Sequence, residues 1–231
     1  GSWRSRRSAT LSSTLHLRGL DSRITAIIEA AQSSLDYEAF EWLRRAALSD
    51  ALAWDREFGQ VRDVSKLGVE RNLLRYRPVP VEVRVAADAR LQDQLRVAIA
   101  AVRAGSPFVL SLSEGLPAGV RHALAELQAT IYLESDEEWL ERGLRQASSD
   151  GDDLVVASRA DRVRLVGGAD AVARLRQQLT DRTGGGSDLS ILDGEVTSAG
   201  RVELLSFVRE QSISITAHRG GVPDDWSSEV I

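Results

Sequence analysis

Residues 81–112 read VEVRVAADARLQDQLRVAIAAVRAGSPFVLSL, and this stretch decides the fold. Val81, Val83 and Val85 alternate with polar residues, the period of a strand. Leu91, Leu95, Ala98, Ile99 and Val102 then recur on one face of a helix, Gly105 stops it, and Pro107 leads into a second apolar run over 108–112. Strand, helix and strand at this spacing form a βαβ unit, whose two strands lie parallel.

Downstream the alternation continues. A helix carries Val120, Leu124 and Leu127, and a strand spans 130–133. The capping-box sequence Ser135-Asp136-Glu137-Glu138 precedes a helix with Trp139, Leu140 and Leu144. Strands are predicted over 154–157 and 163–166, followed by the turn Gly167-Gly168 and a helix with Val172, Leu175 and Leu179 that Gly184-Gly185-Gly186 breaks. A strand over 189–192, a helix over 202–208, a short strand over 212–216 and a polar tail complete the pattern. The fold class is therefore α/β, a Rossmann-like, mostly parallel sheet with helices on both faces.

Upstream, Leu74, Tyr76, Pro78 and Pro80 read as an extended lead-in, with prolines suited to a sheet edge. Before it, Asp21 caps a helix bearing Ile24, Ile27, Ile28 and Ala31, and a second stripe of Phe40, Leu43, Ala47, Ala51, Trp54 and Phe58 ends at Gly59. This helical hairpin concentrates aromatic residues, so Trp42, Trp54 and Phe58 are candidates for docking the chain on a partner. The organisation expected is a linker over 1–20, the hairpin and its connection over 21–71, and the Rossmann-like domain over 72–231.

Composition excludes several functions. The 231 residues contain no Cys, which removes disulfides, thiolate metal ligands and every cysteine nucleophile. A net charge of -5 lacks the electrostatic footprint of a nucleic-acid binder, and Arg4, Arg6 and Arg7 among serines read as a solvated tail. No apolar run is long enough to cross a bilayer, so a cytoplasmic location is expected. The opening Gly1-Ser2-Trp3, with no Met in the chain, suits a vector scar or a piece cut from a longer polypeptide.

A Rossmann-like sheet invites a nucleotide, yet no turn matches G-x-G-x-x-G or the P-loop. Gly167 and Gly168 are the weak cofactor-binding candidates, because backbone N–H groups at a helix start can hold an anion, although Asp170 would repel one. A tight turn needing glycine is the simpler reading. His16, His122 and His218 show no metal-ligand spacing, no G-x-S-x-G elbow is present, and Asp152-Asp153 and Asp224-Asp225 fall in turn-like sequence. No catalytic residue, metal ligand or cofactor is assigned.

Two stretches carry a family resemblance. Gly68-Val69-Glu70-Arg71-Asn72 with Tyr76 and Pro78 resembles the start of the C-terminal aldehyde-dehydrogenase-superfamily domain of the longer proline utilization A (PutA) enzymes. The segment 208–221 resembles their C-terminal motif: Glu210, Ser212, Ser214 and Gly220-Gly221 match, Thr216 stands where Asn is usual, and His218-Arg219 replace small residues. Leu15 to Leu20 with the hairpin is similar to the linker after the dehydrogenase module, and Gly1-Ser2-Trp3 to that module's end. The resemblance implies a parent that oxidises proline with FAD and L-glutamate γ-semialdehyde with NAD, passing the intermediate through a tunnel. It implies that this domain keeps a truncated dehydrogenase-like fold without an active site or cofactor. Such a domain packs on the adjacent or partner dehydrogenase module and seals the tunnel with Glu210, Ser212, Ser214, Thr216, His218, Arg219, Gly220 and Gly221. The alternative is an independent nucleotide-dependent enzyme or sensor using the Gly167-Gly168 turn.

Overall fold

The computed structural model describes residues 19–63, 65, 66, 70–148, 160, 162–184, 189–216, 218, 219, 222 and 223. Its centre is a five-stranded parallel sheet in the order β5-β4-β3-β6-β7. These strands are β3 (Val81–Val85), β4 (Phe108–Leu112), β5 (Thr130–Leu133), β6 (Arg162–Val166) and β7 (Ser190–Leu192). The chain winds outward from β3 through β4 to β5, then returns to place β6 on the other side of β3. That reversal is the topological switch point of a doubly wound fold, where ligands of such sheets bind.

Helices cover both faces. On one lie α1 (Ser22–Ala31), α2 (Tyr37–Ala53), α3 (Leu91–Ala104) and α4 (Ala118–Glu126); on the other, α5 (Asp136–Ser148) and α6 (Ala169–Thr183). The capping box at the start of α5 forms as read: the Glu138 amide donates to Ser135 Oγ at 3.2 Å, and the Ser135 amide to Glu138 Oε2 at 2.8 Å. Gly105 and Gly184 end α3 and α6 with φ of +65°, the left-handed conformation that glycine adopts without strain.

The helical hairpin is not an appendage. Val97, Ala98, Ala100, Ala101 and Ala104 of α3 are buried as well as the stripe facing the sheet, so α3 is enclosed all round and α1 and α2 form its outer cover. Ile24, Ile27, Ile28 and Leu43 belong to the same apolar core as Val83, Ile99 and Leu110. After Ala53, α2 continues as one π-helical turn, Trp54–Phe58.

The C-terminal part differs from the sequence expectation. Instead of a helix over 202–208 there is a single turn, α7 (Gly200–Glu203), and a 3-10 turn (Leu204–Phe207), after which the chain is extended as β8 (Val208–Thr216). All nine residues of β8 pair antiparallel with β2 (Glu70–Pro78), and the short β1 (Arg62–Asp63) completes a three-stranded sheet separate from the parallel one. Partners 130 or more residues apart impose the extended state here, and no local periodicity encodes that. Beyond it, β9 (His218–Arg219) pairs with β10 (Val222–Pro223). The strand expected over 154–157 lies outside the described residues.

Candidate functional site at the switch point and along the ribbon

The crevice at the carboxyl ends of β3 and β6 has a volume of about 620 Å³ and is lined by the turn after β3 (Asp88, Arg90), the first turn of α3 (Asp93), the turn after β6 (Gly167, Gly168) and the loop after β7 (Asp193, Glu195). The Gly168 amide at the N-terminus of α6, the place where a phosphate would sit, donates instead to Asp88 Oδ1 at 3.1 Å. Gly168 has φ of -66°, so the glycines are not there for unusual dihedrals. They are there for proximity. A Cβ on Gly168 would stand 2.5 Å from Asp88 Oδ2, and one on Gly167 2.8 Å from Ala86 Cβ. On the rest of the rim Asp93 is paired to Arg90 at 2.8 Å and Asp193 to Arg176. Among the described residues, no group of three His, Asp or Glu side chains is arranged to hold a metal ion.

Behind the crevice, two buried ion pairs fasten its far wall. Asp50 on α2 meets Arg96 on α3 through two hydrogen bonds of 2.7 Å, both side chains fully buried, and Arg96 Nε donates to Thr197 O at 2.8 Å. Arg164 on β6 meets Glu203 on α7 at 2.9 Å and donates to Gly194 O at 2.7 Å, while Glu203 Oε2 accepts the Thr197 amide. The 193–199 loop is thus held from both sides. Burial pushes the Asp50 carboxyl up to about 6, against the pull of Arg96 and with the help of Glu203.

The second candidate region is the β2–β8 ribbon. Its register places Glu210 opposite Tyr76, Ser212 opposite Leu74, Ser214 opposite Asn72 and Thr216 opposite Glu70, so Glu210, Ser212 and Ser214 project from one side. Ser214 Oγ donates to Glu70 Oε1 at 2.7 Å. Glu210 lies within a strand that begins at Val208, where the helix expected over 202–208 would have ended, because the whole segment pairs with β2. His218 and Arg219 lie in β9, and Gly220 and Gly221 lie outside the described residues.

The three docking candidates separate. Phe58 is 3% exposed and packs edge-on against Tyr76, ring centroids 4.8 Å apart, so its ring is committed to the core and is not a docking group. Trp42 and Trp54 are half-buried against the same core. Tyr76 links the two regions, touching Phe58 on one side and registering with Glu210 on the other. Burial raises its phenol above the ordinary range, reinforced by Glu210 and Glu57. Asp88 was not legible as a site residue: a lone Asp in an Ala-rich turn looks like any turn aspartate until the fold brings it to α6.

No protein-family model matches the sequence, and no curated protein matches it significantly. Among solved structures the chain is similar to proline utilization A from Corynebacterium freiburgense, with a TM-score of 0.49 and 25% identity over 79% of this chain and 14% of that one. It is similar to a proline utilization A with proline bound in remote sites, with a TM-score of 0.49 and 15% identity over 77% of this chain and 20% of that one. Histidinol dehydrogenase from Elizabethkingia anophelis gives a TM-score of 0.44 and 14% identity over 71% of this chain and 37% of that one. The chain therefore spans about a fifth or less of the two proline utilization A chains and just over a third of the histidinol dehydrogenase.

Proposed function

We propose that the chain is a non-catalytic domain of a proline utilization A type enzyme, stabilising its L-glutamate γ-semialdehyde dehydrogenase module. On this reading the C-terminal segment from Glu210 covers the channel through which the intermediate passes. The observation that carries the non-catalytic part is the Asp88 carboxylate on the Gly168 amide. A dinucleotide's pyrophosphate needs the same backbone donors and the same positive end of α6, and a carboxylate already held there repels it. Glu195 on the rim adds to the repulsion. The absence of Cys removes the thiol with which an aldehyde dehydrogenase forms its thiohemiacetal.

The size of the crevice is what favours the alternative, a nucleotide-dependent enzyme or sensor. Titrating NAD and NADP into the 231-residue chain by calorimetry separates the two. No heat of binding is expected, and micromolar affinity for either nucleotide sinks the non-catalytic reading. The channel part is tested in an enzyme that contains this chain next to both catalytic modules: deleting 210–231 is expected to spare proline oxidation while coupled proline-to-glutamate flux falls. Unchanged coupled flux would refute the lid.

A further inference from the structure

The loop 193–199 stands between two cavities. Asp193, Gly194 and Glu195 line the switch-point crevice and also, behind it, a slot of about 270 Å³ shared with Arg164, Ile191 and Glu203. None of the loop's residues is buried, and Val196 packs half-buried against the core as its apolar anchor. A segment with so little apolar burial belongs to the low end of local stability. What else holds it is polar. The Thr197 carbonyl accepts Arg96 Nε at 2.8 Å, and the Thr197 amide donates to Glu203 Oε2 at 3.2 Å. Arg96 and Glu203 belong to different buried ion pairs, Asp50–Arg96 and Arg164–Glu203, so two buried pairs converge on the backbone of one residue. The ends of the segment are fixed separately: the Gly194 carbonyl accepts Arg164 Nη1 at 2.7 Å, and the Gly200 amide donates to Ser49 Oγ at 2.9 Å.

We propose that residues 195–199 form a pH-responsive latch, which opens between the two fixed ends by releasing Thr197 and is looser at neutral pH than in mild acid. Buried ion pairs are poor sources of stability, and fixing one arrangement against another is their best-attested use. The sign of the response comes from desolvation. With the latch closed Asp50 is fully buried, and burial pushes its carboxyl up to about 6; with the latch open, water reaches the carboxyl and returns it toward 3.8. The charged groups acting on Asp50 are Arg96 and Arg103 of α3, which favour its ionised form, and Glu203 of α7, which opposes it. Arg164 of β6 neutralises Glu203 from the far side. A carboxyl that holds its proton more tightly in the closed form makes acid close the latch. Opening therefore increases from about pH 4 to about pH 6 and levels off above. It reshapes the crevice and the slot together, whichever function class the crevice serves, so the inference does not rest on the channel reading.

The test is native-state hydrogen exchange of the full 231-residue chain by NMR, at pH 5 and pH 7 and in low urea, read as protection factors. The Thr197 amide reports the latch, and the Ile99 and Val102 amides of the enclosed helix α3 report global unfolding. Thr197 is expected to exchange through an opening that low urea leaves unchanged, while the α3 amides follow the urea slope of global unfolding. Its protection is expected to fall about tenfold from pH 5 to pH 7, the ratio that a carboxyl at about 6 when closed and 3.8 when open gives. In Asp50→Asn, which has no proton to lose at this position, that fall is expected to vanish. Should Asp50→Asn fail to fold, Asp50→Leu with Arg96→Met carries the same comparison. Three results overturn the proposal: a Thr197 amide that shares the urea slope of the α3 amides, protection that stays level or rises from pH 5 to pH 7, or a fall that persists without the Asp50 carboxyl.

Discussion

Replacing Asp50 by Ala removes one half of an ion pair that is fully buried on both sides. Arg96 then keeps a single hydrogen bond, to Thr197 O, and its charge remains in the core without a counter-ion. Breaking a buried pair in this way costs about 3–5 kcal/mol, which for a chain of this length lowers the thermal midpoint by about 6–20 °C. The direction of the Asp50 shift shows that burial outweighs the attraction of Arg96. Desolvation offsets much of the attraction within a buried pair, so Asp50→Leu combined with Arg96→Met is expected to recover most or all of the loss. The pH dependence follows with a definite sign. A carboxyl raised to about 6 in the fold from an ordinary value of 3.8 is destabilising in its ionised form. That cost is present in full above about pH 6 and fades as the pH falls toward the ordinary value, so this group makes the protein about 1 kcal/mol more stable at pH 5 than at pH 7. Urea unfolding of the wild type, Asp50→Ala and the double variant at both pH values reads all of this. A cost below about 1 kcal/mol for Asp50→Ala, a double variant no better than the single one, or a pH component that survives in the double variant would refute the reasoning.

Gly200→Ala should lower the thermal midpoint, because the added Cβ would meet the Ser49 carbonyl oxygen at 2.5 Å where α7 lies on α2, and backbone cannot give way as a side chain can. A cost of about 1–3 kcal/mol is expected, and an unchanged midpoint by calorimetry would mean that α7 shifts freely. Asp88→Ala frees the Gly168 amide at the start of α6 and is expected to cost about 0.5–2 kcal/mol in urea unfolding, as loss of a helix cap does. A neutral result there would show that the carboxylate does not cap α6 in solution.

The parallel sheet was legible in the sequence because each of its signals is local. Val81, Val83 and Val85 alternate within five residues, Ser135 and Glu138 cap a helix three positions apart, and Gly105 and Gly184 stop helices at their own positions. Physical chemistry acting over one or two turns of chain suffices for these elements. The tertiary structure alone decided what depends on distant partners. Val208 is strand rather than the end of a helix because Pro78 lies beside it, and Phe58 is core rather than docking surface because Tyr76 reaches it. Gly167 and Gly168 look like half of a phosphate loop in the sequence, and only the fold brings Asp88 from 80 residues away to occupy their amide. Pairing register, burial and the meeting of charges are properties of positions in space, so a sequence read one segment at a time does not contain them.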